Sequence, residues 1–233
     1  MTVLTPETLE EWHTAATYLP WVKCLINRVK SESDGLERIR LRRELAKELM
    51  CEAFPIGLLA ASYFKASDQV RIRLKVGNQN FDALVEDKRS TSSFVEHIEV
   101  TLAGDGEEDY LRMFVLHEHG QVSGLGRLTK TGTCRTVRKV RVANEMVSQE
   151  EVLAKEKERL TRAIERKLRK PYPDNTLLLI AFDDTIAFNR SDSISNLETV
   201  LSNYKLRLQA FHSVALVGLQ ESTLICRRMG NAI

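Results

Sequence analysis

Cysteine is scarce: four residues in 233, Cys24, Cys51, Cys134 and Cys226, with no C-x-x-C pair among them. A disulfide framework or a zinc knuckle shows closer spacing, so these read as small apolar core residues in a reducing compartment. Proline and glycine are also few, 5 and 11, and no Pro/Ser/Gly-rich linker interrupts the chain, which excludes collagen-like and disordered classes. The longest apolar runs, Thr176 to Phe182 and Ile56 to Ala61, fall far short of the roughly 20 residues that span a bilayer. No basic segment followed by an apolar stretch opens the chain, so neither a membrane nor a secretory route is expected, and the cytoplasm is the expected location. A large net charge is missing too, since 34 Lys+Arg against 32 Asp+Glu leave +2, and this excludes a globally basic nucleic-acid coat. What remains is 43% hydrophobic and 28% charged residues, the composition of a globular domain with a sizeable core.

Thr5-Pro6-Glu7 is a helix start, and helices are expected to about Tyr18 and from Pro20 to Lys30; residues 1–34 form a helical N-terminal extension to a domain spanning 35–233. Leu36 to Met50 predicts a further helix whose narrow apolar face, Leu41, Leu45 and Leu49, has Glu48 and Glu52 on or beside it. The rhythm then changes to period two. Val70, Ile72, Leu74 and Val76 alternate with Arg71, Arg73 and Lys75, a turn follows at Gly77-Asn78, and Phe81 to Glu86 and Phe94 to Leu102 make two more strands. In the third strand His97, Glu99 and Thr101 share one face, while Ile98, Val100 and Leu102 share the other. Beyond it come an acidic helix from Glu107 to Gly120, a hairpin over 128–142 turning at Thr131-Gly132, and a helix capped by Ser148 that runs to Lys170. An apolar central strand over 176–182, a helix from about Ser193 to Phe211 and two strands over 213–218 and 222–227 close the chain.

Asp82 on one strand and Glu99-Val100-Thr101 on the next, after a glutamate-bearing helix and before a long helix and an apolar strand, form the informative constellation. It resembles the restriction-endonuclease-like, or PD-(D/E)XK, nuclease superfamily, over roughly residues 36 to 184. The resemblance implies an α/β fold with an α-β-β-β-α-β core and a mixed central sheet. It also implies a Mg²⁺ or Mn²⁺ cofactor on Asp82 and Glu99 and hydrolysis of phosphodiester bonds, in DNA rather than RNA. Hard carboxylate oxygens suit such a cation, which polarises a phosphodiester and activates a water. An acid from the preceding helix often joins the cluster, and that position matches Glu48 or Glu44, with Glu48 preferred. The family's usual lysine, two residues after the Glu, is Thr101 here, a departure that removes a positive charge. Lys75 is the leading substitute, Lys88 the second, and His97 a third that is able to shuttle protons near neutral pH.

Charge along the chain points the same way. From Asp82 to Glu118 ten acids face three bases, whereas Arg135 to Lys170 carries a net +6. Lys155, Arg159, Arg162, Arg166 and Lys170 step along one face of the long helix, a basic ridge suited to a phosphate backbone. The same pattern also fits an ordinary solvated helix held by Glu151–Lys155 and Glu158–Arg162 pairs. His117 and His119, two apart on a helix, do not share a metal ion, and the glycines at 120, 124 and 126 lack the strand-to-helix context of a dinucleotide site. Two readings of different class result: a divalent-cation-dependent nuclease, and a catalytically inactive module of the same fold that binds nucleic acid or a protein partner. Trp12, Tyr18 and Trp21 are either core anchors or a homodimer surface.

Overall fold

In the computed structural model residues 3–91, 94–122, 126–133, 136–143, 145–185, 189–220 and 223–229 are described. The chain is α/β, built on a seven-stranded mixed sheet in the order β1-β2-β3-β4-β7-β8-β9. Strands β2 (Val70–Leu74), β3 (Ala83–Asp87) and β4 (His97–Leu102) form an antiparallel meander, and β2 and β4 alternate apolar with polar residues. Strands β7 (Thr176–Phe182) and β8 (Ser213–Gly218) then lie parallel to β4, reached through helices α7 (Gln149–Lys167) and α8 (Arg190–Asn203). β9 (Leu224–Arg228) returns antiparallel to β8. Every residue of β7 is buried, as an unbroken TLLLIAF run between two covered sheet faces requires.

The two faces bury separate cores. On one, Ile72, Leu74, Ile98, Val100 and Leu179 pack against helices α2 (Ala15–Lys30) and α5 (Phe54–Ser62). On the other, Leu178, Ile180, Val214 and Leu216 meet Leu160, Ile164, Leu197 and Val200 of α7 and α8. A small third core joins α6 (Gly106–His119) to the hairpin β5 (Leu128–Thr133) and β6 (Thr136–Val142), an insertion between β4 and α7. Pairing of the hairpin runs on to Thr133 with Thr136, so it does not turn at Thr131-Gly132, where a register shift sits instead.

Residues 3–34 pack into the core of the sheet. After α1 (Pro6–Leu9), the two-residue β1 (His13–Thr14) pairs with β2, and Leu9, Tyr18, Val22, Leu25 and Val29 lie in the same core as the central strands. Pro20 stands inside α2 rather than opening a new helix. Tyr18, Val22, Leu25 and Val29 recur at helical spacing across it, and their burial outweighs a proline cost of about 3 kcal/mol. Tyr18 is fully buried and packs edge-on to Trp21, which stacks on His13, whereas Trp12 lies under the Arg71 guanidinium. Of the cysteines, Cys24 is exposed, Cys51 and Cys226 are half-buried, and Cys134 lies outside the described residues. Among the described residues no helix is long and apolar enough to cross a membrane.

The helix expected over 36–50 is broken. α3 (Gly35–Leu41) ends at Arg42, whose φ of 51° is left-handed, and Glu44 follows at φ 50°. The helical path resumes at α4 (Ala46–Glu48), passes through a wide π turn (Leu49–Ala53) and continues as α5. Pro55 accounts for the wide turn: lacking an N–H it cannot serve the Cys51 carbonyl, and the Phe54 amide reaches back five residues to the Leu49 carbonyl instead.

Candidate active site

Asp82 precedes β3 at the point where β3 and β4 part. The two strands pair only through Ala83 with Ile98 and Leu84 with His97, after which the Asp82 amide donates to the Ile98 carbonyl at 2.8 Å. The Val100 amide then donates not to a strand carbonyl but to Asp82 Oδ2, at 2.7 Å. A carboxylate thus takes the place of a backbone acceptor and fixes its own position beside β4. Glu99, on the α7 face of β4, is only 5% exposed.

A cation reaches Glu99 from α7. Lys167 is seven residues past Leu160 and three past Ile164, so it continues the stripe that faces the sheet, and its Nζ bonds Glu99 Oε1. Thr101 instead anchors an arginine. Its Oγ1 accepts from Arg166 Nη2 at 2.6 Å, and the same nitrogen donates to the Leu102 carbonyl at 3.2 Å.

The π turn supplies the third acid. Glu52 lies within electrostatic reach of Asp82 and Glu48, and burial first, then those two carboxylates, push its carboxyl up to about 8 despite Lys47 and Lys167. Burial first, and then Glu99, likewise raise the Asp82 carboxyl; the Val100 amide, Lys167 and Lys170 oppose the rise. Glu48 Oε2 is buried without a hydrogen-bond partner, and Glu44 is exposed. A wheel that favours Glu48 assumes a regular helix, and the left-handed break and π turn alter it, so Glu52 rather than Glu48 is the helical acid set against Asp82. Tyr172 adds to the crowding, with its hydroxyl pushed up by burial first and then by Glu99 and Asp82.

Lys75 is placed elsewhere. Its Nζ bonds Glu10 Oε2 at 2.5 Å, Arg73 joins that carboxylate at 3.1 Å, and the Val76 amide takes the other oxygen at 2.9 Å. Burial opposes ionisation of Glu10, but these three donors hold its carboxyl below the ordinary range. Lys88 is beyond the far end of β3, its amide bonded to the Gln69 carbonyl. His97 is occupied at the start of β4 by the Phe81 ring, 4.6 Å away between centroids, and by the Asp174 carbonyl at 3.3 Å.

Nor does the basic ridge stand open. Arg159 meets Glu108 at 3.3 Å, Arg162 meets Asp105 at 3.4 Å, and Arg166 is held by Thr101, so the acidic start of α6 and the basic helix neutralise one another. Among the described residues the side chains of Lys155 and Lys170 alone of the five have neither a salt bridge nor a hydrogen bond. Sequence reasoning passed over Glu52 and Lys167 as site residues, and Lys167 carried a readable signal: a lysine at a core-facing position of an otherwise apolar stripe.

Among the described residues no three His, Cys, Asp or Glu side chains are gathered into a ready-made metal cage. Mg²⁺ does not need one, being held by one or two carboxylates together with water and substrate phosphate. Asp82 and Glu52, each pushed up first by burial and then by a neighbouring carboxylate, with an orphaned Glu48 oxygen close to Glu52, fit a hard divalent cation. Comparison with known proteins found no match to this chain among family models, curated proteins or solved structures.

Proposed function

We propose that the chain is a divalent-cation-dependent nuclease of restriction-endonuclease-like fold, acting on phosphodiester bonds, with DNA as the favoured substrate. The order α5, β2, β3, β4, α7, β7 and the mixed sheet support that fold. The observation that carries the function is Lys167, a buried cation delivered by α7 to the acid pair at the place where the E-x-T motif lacks one.

Asp82 and Glu99 would hold Mg²⁺ or Mn²⁺, which bound there supplies a Lewis acid and a more acidic water. Lys167 Nζ neutralises negative charge developing on the phosphate, in a site where water is scarce and its charge acts at low dielectric. Arg166, fixed by Thr101 and the Leu102 carbonyl, presents its guanidinium beside the same strand end. The Glu52 carboxyl holds a proton at neutral pH and releases it when positive charge arrives, which couples cation entry to proton release.

The second reading, a catalytically inactive module that binds nucleic acid or a protein, draws on the same ion pair, because Lys167 already satisfies Glu99. Calorimetric titration with Mn²⁺ at pH 7 separates them. The nuclease reading gives binding whose heat changes with the buffer's ionisation enthalpy, reporting released protons, and which disappears in Asp82→Asn. No binding, or binding indifferent to Asp82→Asn, supports the inactive module.

A further inference from the structure

We propose that the cleft between α3, α6 and α7 takes a single nucleic-acid strand, its phosphates along Arg42, Lys47 and Arg166 and an unstacked base on Tyr110; this rests on the nuclease reading and names its substrate form. The cleft has a volume of about 530 Å³ and is bordered directly by Glu52 and Lys167 of the acid site. It continues into a second hollow of about 590 Å³ that shares Arg42, Leu102, Asp109 and Met113 with it and extends past Phe182 to Gln220. Together they make a trough leading over the ends of the parallel strands.

Charge in the cleft favours a polyanion. Five bases, Arg40, Arg42, Lys47, Arg166 and Lys167, line it against two acids, Glu52 and Asp109, and burial pushes the Asp109 carboxyl toward its neutral form. Arg42 and Lys47 form no salt bridge among the described residues, unlike the ridge arginines Arg159 and Arg162. Arg42 is also held in a left-handed conformation that a non-glycine residue adopts at a cost, so the turn after α3 fixes where it stands.

The aromatic lining decides between one strand and two. Tyr110 is 40% exposed, and with Met113 it forms the α6 wall of the cleft. Duplex DNA hides its base faces in the stack and offers this ring nothing, whereas each base of a single strand has a free face. Glu99 lies too deep for a rigid duplex to approach as easily as one flexible strand does, since α6 is anchored over the cleft by Arg40 donating to the Leu116 carbonyl at 3.3 Å.

Fluorescence anisotropy in EDTA, with a labelled oligothymidylate of about 20 nucleotides and a duplex of the same length, tests this. The single strand is expected to bind about tenfold or more tighter than the duplex, and Tyr110→Ala to weaken single-strand binding about 5- to 100-fold while leaving duplex binding unchanged. Tyr110→Trp keeps single-strand binding, which shows that the alanine effect is one of stacking and not of folding. Equal or tighter duplex binding, or an unaltered Tyr110→Ala, overturns the proposal. Because EDTA removes catalysis, the two readings fail separately: cation-dependent cutting of duplex DNA alone sinks the single-strand assignment, while single-strand binding with no cleavage in any cation sinks the nuclease.

Discussion

Lys167→Met is expected to lower stability in urea unfolding by roughly 3–5 kcal/mol, the cost of leaving a buried partner charge alone. Lys167 and Glu99 side chains are 14% and 6% exposed, so water replaces little of what the pair provides. Its removal also takes the cation bonded to Glu99, and the cleavage rate is expected to fall about 10²–10³-fold, as for loss of a preorganised charge at a transition state. Stability and chemistry are separable. Lys167→Met combined with Glu99→Gln recovers most of the stability but none of the cleavage, and Lys167→Arg keeps the fold and part of the rate. Lys75→Ala serves as the comparison: it loosens the Glu10 cluster and leaves cleavage at the parental level, because Lys75 is bound away from the acids. A Lys75→Ala rate as low as that of Lys167→Met contradicts the assignment.

The second large effect belongs to Glu52 and depends on pH. Its folded carboxyl titrates near 8 against an ordinary 4.5, so between those values the folded chain holds a proton that the unfolded chain has released. This contribution is fully present below about pH 4.5 and is lost as pH rises through about 8, at about 1.4 kcal/mol for each pH unit between the two values. Glu52→Gln, neutral at every pH, therefore melts like the parent at pH 5 and well above it at pH 9 in the absence of cations. The same substitution removes the proton carrier beside Asp82, and cleavage is expected to drop about 10²-fold with a flatter profile between pH 6 and 8. A gain in stability with a loss of activity is the signature of an acid kept in place for function against its own repulsion. If Glu52→Gln melts lower than the parent at pH 9, the carboxyl is a structural partner instead.

Local patterning makes much of this architecture readable. Alternation names β2 and β4, the TLLLIAF run names the buried β7, and Ser148 with Glu151 does form a capping box on α7. What escapes lies in partnerships across long stretches of chain. Lys167 and Glu99 are 68 residues apart, and Lys75 and Glu10 are 65 apart, so nothing in either segment announces the pairing. The basic ridge is visible as a sequence of charges, but its neutralisation by Asp105 and Glu108 depends on α6 folding over α7. The helical acid is misplaced for a local reason: a wheel drawn at constant pitch cannot anticipate that Arg42 ends one helix and that Pro55 widens the turn before it. Glu99 is legible as a strand residue, whereas Asp82, expected on a strand, stands just ahead of β3, and the bond from the Val100 amide that fixes it appears only once β3 and β4 part.

The most direct measurement is a cleavage assay of the purified chain on supercoiled plasmid and on circular single-stranded DNA, with Mg²⁺, with Mn²⁺ and with EDTA. Strand breakage that needs the cation, stops in EDTA and disappears in both Asp82→Asn and Glu99→Gln is the predicted result. DNA left intact in both cations, or breakage that persists at the parental rate in those two variants, contradicts a cation-dependent nuclease centred on Asp82 and Glu99.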